Sequence, residues 1–319
     1  MTTTRATIND ASEQRGDATE LALIGTVVLL YAGGWIAAEV ALRTIAPLSL
    51  AAFRFTIAGV ILVIAARLGG QSLGLDRPKT IVALALFGIA IGHAFFYWGL
   101  RLAPATDGSI LSTALTPALT LAVGVALLGE RVSRRGVSGA ALGIAGVLLV
   151  VVGPREQAGE LVLLGDLLLA VGAASVAIYT LLGRVAMAHG SVVGVAGSST
   201  LIAGLMMLPF AVLTEPPFEP WEWPLEAWMA FGYLTIPSAV FAASAYYLLV
   251  RRAGAVRATL VQYLAPVVVF AASAWLLGEV LTPLRVLGAL LALAGTRLMI
   301  TDRQTGIAAT AEPPAPPEA

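Results

Sequence analysis

Leu115-Thr-Pro117 and Leu127-Leu-Gly-Glu130 occur twice in this chain, the second time as Leu264-Ala-Pro266 and Leu276-Leu-Gly-Glu279. The offset is the same for both motifs, because 266 − 117 = 149 and 279 − 130 = 149. Three further pairs keep this offset: Tyr97 and Tyr246, Gly139 and Gly288, and Gly146 and Gly295. A repeat of this length indicates that the chain consists of two related halves.

The composition predicts that both halves lie in a membrane. Hydrophobic residues make up 58% of the 319 positions and charged residues only 12%, whereas soluble domains carry about 25% charged residues. Charges and Gly/Pro clusters divide the chain into apolar runs close to the roughly 20 residues that span a bilayer. We expect spans at 21–42, 48–66, 80–100, 106–128, 136–153, 162–183, 192–213, 227–250, 256–277 and 284–300. The runs lack the two-residue alternation of membrane β-strands, so we predict helices.

Five helices in each half make the second half run upside down relative to the first. The predicted fold is therefore an all-α integral membrane protein with ten transmembrane helices, arranged as two inverted five-helix repeats around a central cavity. The repeats are expected at residues 21–153 and 162–300. Residues 1–20 and 301–319 are polar, and the last segment is rich in proline and alanine. Both are predicted to be disordered cytoplasmic tails.

The basic residues predict the orientation. With the N-terminus inside, 14 Lys and Arg fall on the cytoplasmic side, 4 fall outside and Arg54 lies within a span, which accounts for all 19. This bias favours an inner (plasma) membrane protein with both termini cytoplasmic. The loop 214–226 is then external, and its tryptophans serve either as membrane anchors or as a substrate lid.

Several function classes are excluded by what the chain lacks. There are no cysteines and only two histidines, so we predict no metal site and no other cofactor. A net charge of zero gives no field that would attract nucleic acid. Neither a phosphate-binding loop nor a nucleophile elbow is present, so the protein is predicted not to be an enzyme. The Gly139-x-x-x-Gly143 spacing favours packing within the chain over a dimer contact, and we expect a monomer or a weak homo-oligomer.

The quoted motifs resemble a known family. Pro47-Leu-Ser-Leu-Ala-Ala-Phe-Arg54-Phe55, the block from Ala105 to Val150 and its second copy from Leu264 to Gly295 are similar to EamA-type members of the drug/metabolite transporter superfamily. The resemblance implies a ten-helix basket with a cavity lined by helices one, three, four, six, eight and nine. It also implies export of amino acids or related metabolites. One departure is that Ser199 occupies the position equivalent to Arg54.

Polar and aromatic side chains four residues apart predict where the substrate binds. Such residues share one face of a helix, and an aromatic wall with a few polar groups suits an amphipathic metabolite. Amino acids are the favoured class because the wall is mostly neutral. The predicted pocket residues are Trp35, His93, Tyr97, Thr113, Ser175, Tyr179, Tyr246, Gln262 and Tyr263.

Two prolines and two charges add further hypotheses. Pro117 and Pro266 remove the N–H groups that would bond the carbonyls of Thr113 and Gln262, and they serve either as kinks alone or as kinks that also line the cavity. Glu39 and Arg54 are ion-pair or coupling candidates. They form a pair or both face an outer vestibule. Alternatively, Arg54 draws in a substrate carboxylate and Glu39 or His93 binds a coupling proton.

The sequence thus favours a secondary transporter that moves small organic solutes by alternating access. Its partners are a small-molecule substrate and the lipid bilayer. A passive channel or facilitator is the alternative, and an intramembrane enzyme or a scaffold is less favoured. The sequence leaves open the identity of the substrate, the direction of transport and the use of protons.

Overall fold

A computed structural model describes residues 2–128, 133–152, 160–187, 190–242, 245, 249 and 260–310. It describes their side chains except at 2–20, 121, 124–128, 181, 184, 185, 187, 260, 262, 263 and 300–310. All regular structure in these ranges is helical. The helices are α1 Thr2–Leu42, α2 Pro47–Leu68, α3 Pro78–Leu102, α4 Ala105–Leu128, α5 Arg134–Val152, α6 Glu160–Met187, α7 Val192–Thr214, α8 Leu225–Tyr233, α9 Leu260–Ala272 and α10 Pro283–Thr310.

Three helices contain a wider, π-helical turn. It lies within α3 at Leu84–Ala90, and it extends α8 through Leu234–Phe241 and α9 through Ser273–Leu277. The first two stretches fall at nearly equivalent positions of the repeat, since 84 + 149 = 233. A 3-10 turn, Pro220–Glu222, precedes α8.

Six helices in the described part of the chain are long and apolar enough to cross a membrane. They are Leu21–Leu42 of α1, all of α2, α3, α5 and α7, and Glu160–Thr180 of α6. Large apolar side chains project outward from them; Leu29 and Leu213, for example, are 62% and 82% exposed. Apolar faces that point outward require an apolar surrounding.

Both termini differ from the disorder that their composition predicts. Helix α1 begins at Thr2 and α10 continues to Thr310. The physical reason is that residues 2–20 contain no proline and a single glycine, Gly16, so nothing interrupts propagation of the helix from its apolar part. Proline returns only at Pro313, and residues 311–319 lie outside the described part.

The helices pack mainly across the two halves of the chain. Helix α2 packs on α7, α5 on α10, α3 and α4 on α6, α1 on α8 and α9, and α4 on α9. The α5–α10 contact brings backbones together, since a Cβ at Gly139 would lie 2.8 Å from the Gly295 oxygen and a Cβ at Gly146 would lie 2.5 Å from the Gly288 oxygen. Helices α5 and α10 are therefore antiparallel, and the predicted packing of Gly139 within the chain is confirmed.

The same relation holds for α2 and α7. A Cβ at Gly59 would lie 2.4 Å from the Leu201 nitrogen, and a Cβ at Gly204 would lie 2.5 Å from the Thr56 nitrogen. Gly59 and Gly204 are equivalent in the repeat, and so are Thr56 and Leu201, because both pairs are 145 residues apart. Exchanging the two halves thus maps one contact onto the other.

The two ends of the bundle are distinguished by their loops. At one end, which we call the Glu279 end, the Glu215 carboxylate accepts hydrogen bonds from the backbone N–H groups of Leu48 at 2.8 Å and Ser49 at 2.7 Å. These are donors that the first turn of α2 leaves without a helical partner. At the opposite Ser72 end, the hydroxyl of Ser191 caps α7 by accepting from the Gly194 N–H at 2.9 Å.

Candidate functional site

A central cavity of about 620 Å³ lies between helices of both halves. Its described walls come from α1, α3, α4, α6, α9 and α10. The residues that line it are Tyr31, Trp35, Gly92, His93, Phe96, Gly108, Ser112, Thr113, Thr116, Pro117, Thr120, Leu169, Gly172, Ala173, Val176, Thr180, Val261, Ala265, Pro266 and Met299. The wall is mainly apolar and aromatic, with hydroxyls and one imidazole.

Five residues singled out from the sequence line this cavity: Trp35, His93, Thr113, Pro117 and Pro266. The carbonyl that Pro117 frees, that of Thr113, lies 3.2 Å from the Thr296 hydroxyl of α10, and the same hydroxyl lies 2.9 Å from the Ala292 carbonyl of its own helix. The freed carbonyl thus faces α10, and Pro117 itself lines the cavity.

Three predicted pocket residues lie in helix contacts instead. Ser175 and Tyr179 of α6 face α3, where a Cβ at Gly92 would lie 2.6 Å from the Ser175 Cβ and a Cβ at Gly88 would lie 2.9 Å from the Tyr179 Cβ. The glycines let the two helices approach closely, so Ser175 and Tyr179 pack against α3 and are not among the described residues that line the cavity. Tyr97 is fully buried next to α2.

The remaining predicted pocket residues belong to the second half. Tyr246 lies outside the described residues. Gln262 and Tyr263 lie on α9, and their side chains belong to the part that is not described. The resemblance placed helix eight in the cavity wall, but the described wall contains Met299 of α10 and no described residue of α8. The described part of α8 packs on α1, where the Tyr233 hydroxyl donates to the Leu29 carbonyl at 3.1 Å.

The Glu39–Arg54 pair that the sequence suggested is not formed. The Arg54 guanidinium donates to the Tyr97 hydroxyl and lies against the Phe55 ring, 4.5 Å from its centroid. Glu39 accepts from the Ala105 N–H at 2.9 Å and lies 3.7 Å from Arg43. Arg54 points toward the interior between α2 and α3, whereas Glu39 points toward the N-terminus of α4.

A row of hydroxyls on α4 lines the cavity but is not among the pocket residues predicted from the sequence. Ser112, Thr116 and Thr120 lie at i, i+4 and i+8 and line the cavity together with Thr180 of α6. The spacing was present in the sequence and could have predicted one polar face on this helix. Serine and threonine often bond only their own helix backbone, so the spacing by itself does not distinguish a cavity wall from a packed face.

A second, smaller chamber of about 500 Å³ lies at the Glu279 end. Charged residues dominate it, and those that line it are Glu39, Arg43, Arg101, Glu279 and Arg285. Burial raises the pKa of the Glu279 carboxyl to about 6, an effect that the hydrogen bond from Thr106 partly opposes. The same carboxyl belongs to the second Leu-Leu-Gly-Glu motif.

A buried polar cluster joins the two halves beside this chamber. Arg285 of α10 forms an ion pair with Asp107 at the start of α4, and both side chains are almost fully buried. The Thr106 hydroxyl donates to Glu279 and accepts from Arg285, at 2.9 Å in the second case. We call Thr106, Asp107, Glu279 and Arg285 the interhalf cluster.

Packed side chains separate the chamber from the central cavity. The Trp35 ring covers Gly108, where a Cβ would lie 2.6 Å from the ring. The Leu169 side chain packs against the same glycine. At the opposite side of the cavity, the exposed side chains of Tyr31 and Thr180 belong to the wall. Trp35 and Leu169 thus lie on the side of the cavity that faces the Glu279 end.

Comparison with known proteins identifies the family. The EamA-like transporter family matches residues 19–152 and again residues 163–301. The chain belongs to the EamA-like transporter family. The resemblance seen in the sequence motifs is therefore confirmed, and this EamA-like transporter is a multi-pass membrane protein.

Named relatives of this EamA-like transporter are transporters as well. An uncharacterized transporter of Archaeoglobus fulgidus is 27% identical over 86% of this chain and 95% of its own length. A probable terminal-alkyne amino-acid exporter of Streptantibioticus cattleyicolor is 28% identical over 89% and 93%. The uncharacterized inner membrane transporter YedA of Escherichia coli is 25% identical over 82% and 85%. A crystal structure with 23% identity shares the fold, with a TM-score of 0.63 over 90% of this chain and 99% of that chain.

Proposed function

We propose that this EamA-like transporter moves small organic solutes across the inner (plasma) membrane by alternating access, and that amino acids or related metabolites are its substrates. The observation that carries the proposal is the central cavity of about 620 Å³, which is built from both halves. Its size lies within the range of small-molecule sites. The relative whose name includes an amino-acid exporter favours the substrate class.

The helix packing supports two inverted repeats of five helices. The helices α2 and α7, and likewise α5 and α10, occupy equivalent places in the two halves and run antiparallel in contact. Equivalent helices that run in opposite directions are what an inverted repeat requires. The proposed repeats are residues 21–153 and 162–300, with ten membrane spans.

The packing of Trp35 and Leu169 over Gly108, on the side of the Glu279 end, supports alternating access. In the proposed orientation this end is external, and the cavity opens to the cytoplasm while this end is closed. The interhalf cluster and the Trp35 layer form the external closure. Transport then requires that the two halves separate at this end and approach each other at the Ser72 end, as in a rocking mechanism.

Flux in proteoliposomes tests the proposal. Replacing Trp35 with Ala removes the aromatic ring that lines the cavity and covers Gly108, so we expect about a tenfold or greater loss of saturable amino-acid or metabolite flux. Trp221, which is 76% exposed in the loop after α7, is the matched control, and Trp221→Ala should leave flux unchanged. Equal flux in all three proteins places the site elsewhere, and a rate that never saturates indicates a channel.

Reporter fusions test the proposed orientation. We expect both termini and the loop after α2 to be cytoplasmic, because the basic residues concentrate on that side. A cytoplasm-active reporter after Ala319 should be active, and a periplasm-active reporter within residues 216–219 should be active as well. The reverse pattern at either position contradicts the topology.

A further inference from the structure

We propose that the central cavity recognises its ligand through an amino group, so that its ligands are organic amines with an apolar body, including amino acids bound by their ammonium group. This inference rests on the proposed function, since it assumes that the central cavity is the transport site. It goes further by assigning which end of the ligand is recognised. The direction of the hydrogen bonds in the cavity wall favours an amino group as the recognised end of the ligand.

The threonine hydroxyls of the wall already donate their protons to carbonyl groups of the protein. Each hydroxyl carries one proton and two acceptor lone pairs. Three of them donate to the backbone carbonyl one turn earlier: Thr113 to Ser109 at 2.7 Å, Thr120 to Thr116 at 2.7 Å and Thr180 to Val176 at 2.8 Å. What these threonines present to a ligand is therefore an oxygen that accepts.

Thr116 and His93 also donate to backbone carbonyls and so present an acceptor to the ligand. The Thr116 hydroxyl donates across to the Ala173 carbonyl of α6 at 3.4 Å. His93 places Nδ1 3.0 Å from the Ile89 carbonyl, and a carbonyl can only accept, so Nδ1 carries the proton. The neutral ring then has a bare lone pair on Nε2. Ser112 is the exception, because it has no hydrogen-bond partner within the described residues and remains free to donate or accept.

The aromatic part of the wall also favours a cation. Trp35 and Phe96 both line the cavity, with their ring centroids 4.9 Å apart and an interplanar angle of 57°. An ammonium group near an indole face is attracted by the negative face of the ring. The same rings provide apolar surface for the body of the ligand.

The described wall offers no cationic partner for a carboxylate. None of its described lining residues is charged, so an acid that entered would lose its hydration without gaining an ion pair. The buried guanidinium of Arg54 on α2 is directed to Tyr97 and does not belong to the described lining. The described wall also contains no acidic residue. An ammonium group bound there is held only by neutral acceptors, and this allows the ligand to be released on the other side of the membrane.

Three related ligands test the inference on the purified full-length protein. Phenethylamine, phenylalanine and N-acetylphenylalanine share one apolar body, and they differ in whether an amine or a carboxylate is present. We expect phenethylamine and phenylalanine to bind, and N-acetylphenylalanine to bind more weakly, by roughly tenfold or more, because it cannot donate hydrogen bonds from a charged ammonium group. The readout is direct binding by calorimetry in detergent.

Valine substitutions in the wall provide a second test of amine recognition. Thr120→Val and Thr180→Val remove an acceptor oxygen at similar volume, and we expect each to weaken phenethylamine binding roughly threefold to tenfold. Thr214→Val is the matched control, because the exposed Thr214 hydroxyl makes the same bond to Phe210 at 2.7 Å on α7. It should leave binding unchanged, and melting temperatures of all variants show whether they are folded.

Two results overturn the inference. One is that N-acetylphenylalanine binds as tightly as phenethylamine, and the other is that none of the three ligands binds. In both cases the proposed function is judged separately by saturable flux of an amino-acid and metabolite mixture that depends on Trp35. If flux depends on Trp35, the transporter proposal stands and only amine recognition is rejected. If flux does not depend on Trp35 and amine recognition also fails, the central cavity is rejected as the transport site.

Discussion

Gly295→Ala is expected to destabilise the folded protein by roughly 1–3 kcal/mol, because the added Cβ enters a contact between two backbones. That Cβ would lie 2.3 Å from the Gly143 nitrogen and 2.5 Å from the Gly139 oxygen. Neither atom is the end of a flexible side chain, so α5 and α10 would have to move apart. The same substitution removes backbone entropy from the unfolded chain, and the contact must outweigh that gain.

Gly25→Ala is the matched control. Gly25 lies in α1, and nothing lies within 4 Å of a Cβ built there, so alanine should be neutral or stabilising by up to about 1 kcal/mol. The two variants are expected to differ in the sign of their effect on the melting temperature in detergent. Equal melting temperatures for both variants would mean that the α5–α10 contact is looser than the structure shows.

Breaking the Arg285–Asp107 pair is expected to have the other large effect. Arg285→Ala alone or Asp107→Ala alone should cost about 3–5 kcal/mol, because each leaves a buried charge without its counterion. The double replacement Arg285→Met with Asp107→Leu should cost much less than the sum, since both charges leave together. Unfolding of all three variants in mild detergent provides the comparison.

An ion pair whose arginine is exposed serves as the control for this cycle. Arg43 lies 3.7 Å from Glu39, and its side chain is 55% exposed, so Arg43→Ala should cost less than about 1 kcal/mol. Additive losses at Arg285 and Asp107 would contradict direct pairing. Because Asp107 lies in the first half and Arg285 in the second, a strong coupling also shows that the halves are held together at the Glu279 end.

The sequence by itself determined the membrane character, the two related halves and the family. These depend on composition and on residue spacing along the chain, such as the second copy of Leu-Leu-Gly-Glu ending at Glu279. It also placed Trp35, His93 and Thr113 on helices that line the cavity. Helical periodicity suffices for this, because residues four apart share a face wherever the helix lies.

Only the tertiary structure decided which neighbour each face meets. Ser175 and Tyr179 share a face of α6, but that face contacts α3, because Gly88 and Gly92 admit a close approach there. Arg54 meets the Tyr97 hydroxyl and not Glu39, since α2 turns it toward α3. Likewise, the spacing of Thr116 and Thr120 predicts a polar face, but the direction of their hydroxyl protons is set by carbonyls within reach. Such contacts depend on side-chain volumes on distant parts of the chain, which local periodicity does not encode.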